Sequence, residues 1–434
     1  MLRCGFGLKD APRLWNKVLR QLLLDLGLRP LQSDEQLFVW HENEHKTDGG
    51  SDAIPSAFAQ SCRLILSTHV DDLKGAGDKA YRDKLLDALQ KKFGQLELKY
   101  GQFECIGVMH EQTDDYTEVW CHQQHYVPQI KDITISGVHS ADDEEEADED
   151  MKQLYMSLVG ALAWLILTMP AICVYVAFLQ RHTKAPTVGH VEGANRLLKW
   201  IRKNLKHLGV RYRRLREPLR LVALSDSAFK ALDYEGLVMR GCVIVLAEAV
   251  PEGDVGSDAH RHGPWSTGTT VRLHLLDWYS RKHTRVVRST FAAELLSLLD
   301  AVNQGNVIRI ALNELHSGAK TAQQLLAQRP EQSILMDAGV DARSVFDALT
   351  ADVMKTPNDK ALLLHAKAMR EILEEGCVDR LFWFDTEDMV PDGLTKGSVD
   401  RKALLHIAGE GVWVIAHDEP QWKSLRRDDG QESQ

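Results

Sequence analysis

The sequence predicts a multidomain protein of mixed α+β and α/β class. An apolar run that ends in two Asp residues and is followed by closely spaced Gly, over residues 64–77, is typical of a β-hairpin. Apolar residues at three- and four-residue steps over 12–28 and 79–93 predict helices. Beyond residue 219, three strand-like runs come in a row and are followed by strands that alternate with helices, an order typical of α/β domains.

Composition places the chain among intracellular globular proteins. Of its 434 residues, 44% are hydrophobic and 26% are charged, which is ordinary for such proteins. The seven Cys are scattered without a CxxC pair, as expected in a reducing compartment. Arg3, Lys9 and Asp10 interrupt any apolar amino-terminal core, so a secretory signal is not expected. We therefore expect a cytoplasmic or nuclear location.

Charge is unevenly distributed along the chain. The net charge of −10 excludes a uniformly basic nucleic-acid binder. Residues 141–150 hold eight carboxylates in ten positions, which predicts a solvated linker rather than a metal site. By contrast, residues 196–220 hold ten Lys and Arg with only Glu217 to offset them. This basic stretch is predicted either to attract a phosphate backbone or to be a solvated helix surface.

The predicted hairpin over Leu64–Gly77 presents Asp71 and Asp72 at its tip. Two adjacent carboxylates repel each other, and a divalent metal is the usual partner that relieves the repulsion. The alternative is a solvated turn, where Asp is common.

Three motifs in order carry a resemblance to a known family. The segments FGLKDAPRLW (Phe6–Trp15), LQSDEQLFV (Leu31–Val39) and HVDD (His69–Asp72) together resemble the reverse transcriptase of copia-type LTR retrotransposons. The resemblance implies that Asp71 and Asp72 hold metal ions on a palm hairpin, and that Lys9 and Arg13 contact nucleic acid. The strands over 94–107 and 119–130 would then follow the palm.

The same resemblance implies that a third metal-binding Asp lies on an earlier palm strand, before the first motif. Only a few residues precede that motif here, so polymerase activity is expected to be lost. Two departures agree with this expectation, since His69 stands where the family has Tyr, and Asp10 stands where it has Gln.

A stretch without charged residues, 153–180, is long enough to span a membrane. Pro170 in its middle and the acidic run before it favour two buried helices that meet at Met169 and Pro170. The segment also resembles the soluble LVGSLLYL…RPDI…PTxxH segment of the copia family, so no membrane partner is expected. A third helix, Val188–Lys203, leads into the basic stretch.

The last large unit resembles a ribonuclease H domain. Its four motifs SDSAF, RSTFAAELLSL, VDARSVFDAL and VPDGLTK resemble, in family order, SDADW, LSSTEAEYxAL, VDNQSAIxLA and LADxLTK. Predicted strands are 219–224, 240–247, 276–282, 333–336 and 381–385, and predicted helices are 289–303 and 342–350.

Hydrolysis of a phosphodiester by two metal ions needs several carboxylates that converge from strand ends and a helix. The resemblance assigns Asp226, Glu294, Asp341 and Asp392 as catalytic residues and ligands of two Mg2+ or Mn2+ ions. Asp337 is the rival for the third position. Asp341 is preferred because the residues after it match the family pattern and because it could cap the following helix.

The expected activity is metal-dependent cleavage of RNA in RNA–DNA hybrids, and other Pol polyprotein segments are expected partners. The alternative is an inactive retroelement remnant that at most binds nucleic acid. Predicted domains are a truncated reverse transcriptase palm and thumb region (1–135), an acidic linker with a helical connection (136–218), a ribonuclease H-like domain (219–400) and a polar tail (401–434). The remaining predicted nucleic-acid contacts are Lys199, Arg202, Lys203, Arg213 and Arg214.

Overall fold

A computed structural model confirms a mixed α/β architecture with several sheets. The chain divides into two compact units: Met1–Tyr100 with Asn306–Ile334, and Gly101–Gly305 with Leu335–Gln434. The structure describes residues 11–42, 62–135, 144–229, 238–249, 268–283, 286–318, 334–353, 360–417 and 420–423.

The first unit packs two helices on an antiparallel sheet with strand order β1-β2-β3-β4. The predicted hairpin and both predicted helices are confirmed. Leu19 and Leu23 of the first helix and Leu85 and Leu89 of the second are buried, as the helical spacing requires. The elements are α1 (Ala11–Leu26), β1 (Arg29–Pro30), β2 (Leu37–His41), β3 (Cys62–His69), β4 (Asp72–Gly77) and α2 (Lys79–Phe93).

The second unit begins with a four-stranded antiparallel sheet of order β5-β6-β7-β8. Its last strand, β8, comes from residues 210–213, so the sheet includes residues on both sides of the domain boundary predicted at residue 135. The two compact units divide instead between Tyr100 and Gly101. The predicted strand from Gly94 begins only at Gln102, and the one predicted to reach Ile130 ends at His122. The strands are β5 (Gln102–Cys105), β6 (Val108–Gln112), β7 (Glu118–His122) and β8 (Val210–Arg213).

Three helices form an apolar cluster in this unit: α3 (Glu149–Leu165), α4 (Cys173–Arg181) and α5 (Val188–Asn204). The prediction of two helices that meet at Met169 and Pro170 is confirmed. Among the described residues, no helix is both long enough and apolar enough to cross a bilayer.

The acidic run was predicted to be a solvated linker; the described carboxylates are exposed to solvent, but the second half of the run is structured and is not a linker. Helix α3 begins inside it at Glu149, and Asp148 caps the helix by accepting a hydrogen bond from the Met151 N–H. Glu146 also pairs with Thr187 in a β-bridge. Carboxylates stabilise a helix amino terminus, so the negative charge here serves local structure. Residues 141–143 lie outside the described residues.

A seven-stranded mixed sheet dominates the second unit, in the order β14-β11-β10-β9-β12-β13-β15. The predicted order, three strands in a row and then strands that alternate with helices, is confirmed. The structure adds that β9, β10 and β11 are antiparallel and that β12 and β13 are parallel to β9. The strands and helices of this part of the chain are β9 (Leu219–Ala228), β10 (Met239–Glu248), β11 (Thr270–Lys282), α6 (Thr290–Ser317), β12 (Leu335–Val340), α7 (Arg343–Thr350), α8 (Ala361–Glu374), β13 (Arg380–Trp383), α9 (Asp392–Thr395), α10 (Lys402–Glu410), β14 (Val412–Val414) and β15 (Gln421–Lys423). Helix α6 belongs to the second unit as far as Gly305, and its residues from Asn306 onward are counted with the first.

Residues 401–434 were predicted to be a polar tail, and the described part of them is a structural element. Helix α10 buries Leu404 and Ile407, and Trp413 of β14 is also buried. Strand β14 pairs with β11, and β15 pairs with β13. The apolar residues of this segment are concentrated in 403–416, and the polar residues that follow concealed them in the average composition.

Candidate metal centre

Asp226 and Asp341 lie at the same edge of the large sheet. Asp226 belongs to β9, and Asp341 follows β12 directly. The two strands are parallel, with Leu224 opposite Gly339, so each Asp stands two residues beyond a matched pair. Because side chains alternate along a strand, both carboxylates emerge on one face at one level.

Asp392 reaches the same place from the short helix α9. This helix packs against β10 at Gly241, which pairs with Asp226. A Cβ atom at position 241 would lie within about 3 Å of Leu394 and Thr395, so only glycine permits this approach. Gly241 is therefore a residue on which the site depends and which sequence reasoning missed, although a Gly inside an apolar strand was a usable signal.

Asp226, Asp341 and Asp392 form what we call the acidic cluster. One carboxylate oxygen from each lies within 4.8 Å of the others. Among the described residues, these three are the acidic, His or Cys side chains that lie close enough together to hold a metal ion. Carboxylate oxygens are the ligands that Mg2+ prefers. The donor set therefore fits a hard divalent cation.

Glu294 of α6 is buried near the acidic cluster. The charges of Asp226 and Asp341 act on it, but burial is the main reason that its pKa is raised. Its Oε2 atom has no hydrogen-bond partner among the described residues. A buried carboxylate oxygen without a donor is costly, and a cation would satisfy it.

Burial and mutual repulsion also act on the other members of the cluster. Burial, followed by the charges of Asp226 and Asp392, raises the pKa of Asp341 to about 7. Burial and the charge of Asp226 raise the pKa of Asp392. The site is therefore electrostatically strained without a cation, and a bound divalent ion would relieve that strain.

Two further residues hold the acidic cluster in place. The Thr395 hydroxyl donates a hydrogen bond to Asp226 Oδ2. The Lys396 ammonium lies 2.7 Å from Asp392 Oδ1 and 3.6 Å from Asp226 Oδ1. Neither residue was named in the predicted site, although both belong to the VPDGLTK motif that indicated Asp392.

The alternative ligand Asp337 lies elsewhere. Its carboxylate is fully buried and paired with the Arg220 guanidinium, near the start of β9. Asp341, by contrast, is part of the acidic cluster. The helix-capping role expected of Asp341 is wrong, because Ala342 occupies the cap of α7 and no side chain caps it.

We expect Asp341→Asn to weaken the pH dependence of stability in metal-free buffer. Folding raises the pKa of Asp341 from its ordinary value of 3.8 to about 7. Its contribution to the free energy of unfolding is therefore most favourable below about pH 4 and is lost as pH rises to about 7. Each tenfold difference between the acid dissociation constants of the folded and unfolded states changes the free energy of unfolding by about 1.4 kcal/mol.

Thermal melts in a chelator at about pH 5 and about pH 8 measure this effect. The parent should lose more stability across the interval than Asp341→Asn does. Asp347→Asn, at an exposed position of α7, is the control and should behave like the parent. An equal loss in the parent and Asp341→Asn would contradict the prediction.

The predicted polymerase residues Asp71 and Asp72 are exposed at the tip of the β3–β4 hairpin. Val70 adopts a φ of +53° in this turn, and its carbonyl accepts a hydrogen bond of 2.8 Å from Trp15 Nε1. Among the described residues no third His, Cys or acidic group joins this pair in a metal-binding arrangement. Arg13 is exposed on α1, and Lys9 lies outside the described residues.

The basic stretch is more compensated than its sequence indicates. Arg202 pairs with Asp132, and Arg213 pairs with both Glu118 and Glu410. Other members of the stretch differ: Lys199, Lys203 and Arg214 are exposed, and Arg220 is buried.

Comparison with known proteins gives one distant match to report. No family model matches the chain. Over 334 residues, 71% of this chain, it is 23% identical to a retrovirus-related Pol polyprotein from transposon RE1 of Arabidopsis thaliana. The chain is similar to a retroelement Pol polyprotein. The match takes in 19% of that protein's length, so the chain corresponds to a small part of it.

Proposed function

We propose that this chain is a retroelement-derived Pol fragment of the copia type whose second unit hydrolyses the RNA strand of RNA–DNA hybrids. The observation that carries the proposal is the convergence of Asp226, Asp341 and Asp392 at one edge of the mixed sheet, beside the buried Glu294. The distant similarity to a Pol polyprotein supports a retroelement context.

The four carboxylates would hold the metal ions. When bound, two Mg2+ or Mn2+ ions supply an activated water and stabilise the charge that develops on the leaving oxygen. Asp226 is central because Thr395 and Lys396 both bind it, which fixes the direction of its carboxylate. Lys396 also places a positive charge where the negative charge of carboxylates and substrate accumulates.

The proposed substrate is a hybrid, held through its shape, its 2′-hydroxyls and its phosphates rather than its base sequence. The exposed ammonium groups of Lys199 and Lys203 on α5 and the exposed Arg214 are suited to phosphate contact. Arg202 and Arg213 would contribute less, because neighbouring carboxylates already bind them. Lys9 and Arg13 are proposed contacts on the first unit, and other Pol segments are proposed partners.

The first unit is proposed to be a remnant of a polymerase palm. Asp71 and Asp72 provide two of the three carboxylates that nucleotide addition requires in the family that the sequence resembles. Since no third acidic, His or Cys group joins them among the described residues, we propose no polymerase activity for this unit.

Metal removal tests the proposed nuclease. The purified chain should cut the labelled RNA strand of a hybrid in Mg2+, should stop when a chelator is added, and should recover when excess Mg2+ is restored. Duplex DNA of the same sequence is the matched control and should remain intact, because it lacks 2′-hydroxyls. A folded preparation that leaves the hybrid intact in both Mg2+ and Mn2+ would instead support an inactive remnant.

A further inference from the structure

The outward face of α4 carries aromatic side chains beside the acidic cluster. Tyr175 is 37% exposed and Phe178 is 49% exposed. They are three residues apart on a helix, so they lie on the same face. His182 follows four residues after Phe178, and its ring centroid is 4.8 Å from that of Phe178. We call these three residues the aromatic strip.

One end of the strip is fixed next to the candidate metal centre. The Tyr175 hydroxyl donates a hydrogen bond of 2.9 Å to the carbonyl of Gly397, the residue after Lys396. Lys396 in turn binds Asp392. The Arg401 guanidinium lies 4.6 Å from the Tyr175 ring centroid and also donates hydrogen bonds to the Gly393 and Lys396 carbonyls. The same contacts therefore hold the Tyr175 ring and the segment that carries Asp392.

The other end of the strip continues onto α5. The His182 and His190 rings are nearly parallel, with centroids 3.9 Å apart, and the Phe178 centroid is 5.9 Å from that of His190. Ring surface thus extends from the edge of the metal centre along the whole of α4. Exposed aromatic groups in such a row are expensive to leave in water unless they serve a contact.

Helix α4 itself carries no charge that would repel a polyanion, whereas the acidic run approaches the α5 end of the strip, where Glu146 pairs with Thr187 and Thr187 contacts His190. The chain has no charged residue from 153 to 180, so no carboxylate on α4 before Arg181 would repel a phosphate. Arg181 and Lys184 are both exposed at the far end of the helix. Aromatic rings combined with a surrounding positive charge are how proteins hold a nucleic-acid strand without reading its sequence.

We propose that the aromatic strip is a stacking surface for the nucleic-acid strand that continues from the scissile phosphodiester. The inference rests on the proposed function of the acidic cluster. Tyr175 sets the position of the strand close to the cluster, and Phe178 and His182 receive the next exposed bases or sugars. Nucleic acid is preferred over a protein partner because the strip begins beside the proposed phosphodiester-cleaving site and reaches the exposed Arg181 and Lys184 at the end of α4.

Hybrids with single-stranded overhangs test the proposal. Binding is measured by fluorescence anisotropy over a range of salt concentrations, in an Asp226→Asn background that prevents cleavage. Phe178→Ala should weaken binding roughly tenfold, with an unchanged salt dependence because stacking releases no counterions. Phe178→Trp should bind at least as tightly as the parent. Tyr116→Ala removes an exposed aromatic group outside the strip and should have no effect.

Phe178→Leu separates stacking from simple apolar contact. It keeps an apolar side chain without a ring, so it should bind about as weakly as Phe178→Ala. Melting curves establish that each variant is folded. Parental affinity in Phe178→Ala or in Phe178→Leu would overturn the inference. Cleavage by the unmutated chain is scored separately, so a failure of the strip and a failure of the nuclease assignment give different results.

Discussion

Replacing Asp226 by Asn is expected to lower the rate of cleavage of an RNA–DNA hybrid by roughly a hundredfold or more. Asn has the same shape but no charge, so the central ligand of the acidic cluster is lost without a cavity. Asp226 is 1% exposed and is the member that Thr395 and Lys396 both bind. Rates of cleavage in Mg2+, measured for parent and variant at equal concentration, give the result.

Stability distinguishes a loss of chemistry from a loss of fold. Asp226→Asn removes repulsion against Asp341, Asp392 and Glu294. In a chelator the variant should therefore melt at the same temperature as the parent or higher. Asp277→Asn is the matched control, because Asp277 is a partly buried carboxylate two strands away in the same sheet. A variant at position 226 that cuts at the parental rate would place the reaction elsewhere.

Replacing Arg220 by Ala is expected to destabilise the second unit by about 3–5 kcal/mol. Arg220 is 3% exposed, and its guanidinium binds the carboxylates of Asp337 and Asp379, both buried. Removing it leaves buried negative charge without its partner, which costs more than the ion pairs themselves contribute. Chemical denaturation followed by fluorescence measures the change.

Arg214→Ala is the control for this variant. Arg214 lies in the same basic stretch but is exposed, so its loss should change the free energy of unfolding by less than about 0.5 kcal/mol. A similarly small loss in Arg220→Ala would show that the buried pairs contribute little. The contrast also tests whether the basic stretch is divided into a structural and a surface-exposed part.

Local patterns were sufficient for much of the fold. Helix α2 has the predicted bounds, and the β3–β4 hairpin follows from an apolar run that ends in polar and Gly residues. Helix α6 was predicted to end at Asn303 but continues to Ser317. Gln304 and Gly305 interrupt the apolar pattern, which resumes at Val307 and Ile308 with three- and four-residue steps. At Gly305 a Cβ atom would lie 2.8 Å from Met336 Sδ, and this close approach is a tertiary contact that a local pattern does not reveal.

The candidate site was predictable only in part for a similar reason. Family resemblance indicated the four carboxylates, and the structure brings Asp226, Asp341 and Asp392 together. The family resemblance could not indicate that Gly241 leaves room for α9, because this role depends on a contact between two segments about 150 residues apart in sequence. The sequence favoured Asp341 over Asp337, but the strand register is needed to see that Asp337 lies beside Arg220 and Asp341 lies beside Asp226.

The two edge strands of the large sheet have a consequence for biosynthesis. Both β14 and β15 are supplied by residues 412–423, whereas the strands that they cover, β11 and β13, emerge from the ribosome earlier. Until residues 412–423 are translated, the parts of these strands that pair with them, Thr270–Arg272 and Arg380–Phe382, expose unpaired backbone groups that can join another nascent chain. At typical elongation rates, the interval between translation of β11 and translation of β14 lasts seconds. During that interval, chaperones would have to protect the exposed strand edges from association with other chains.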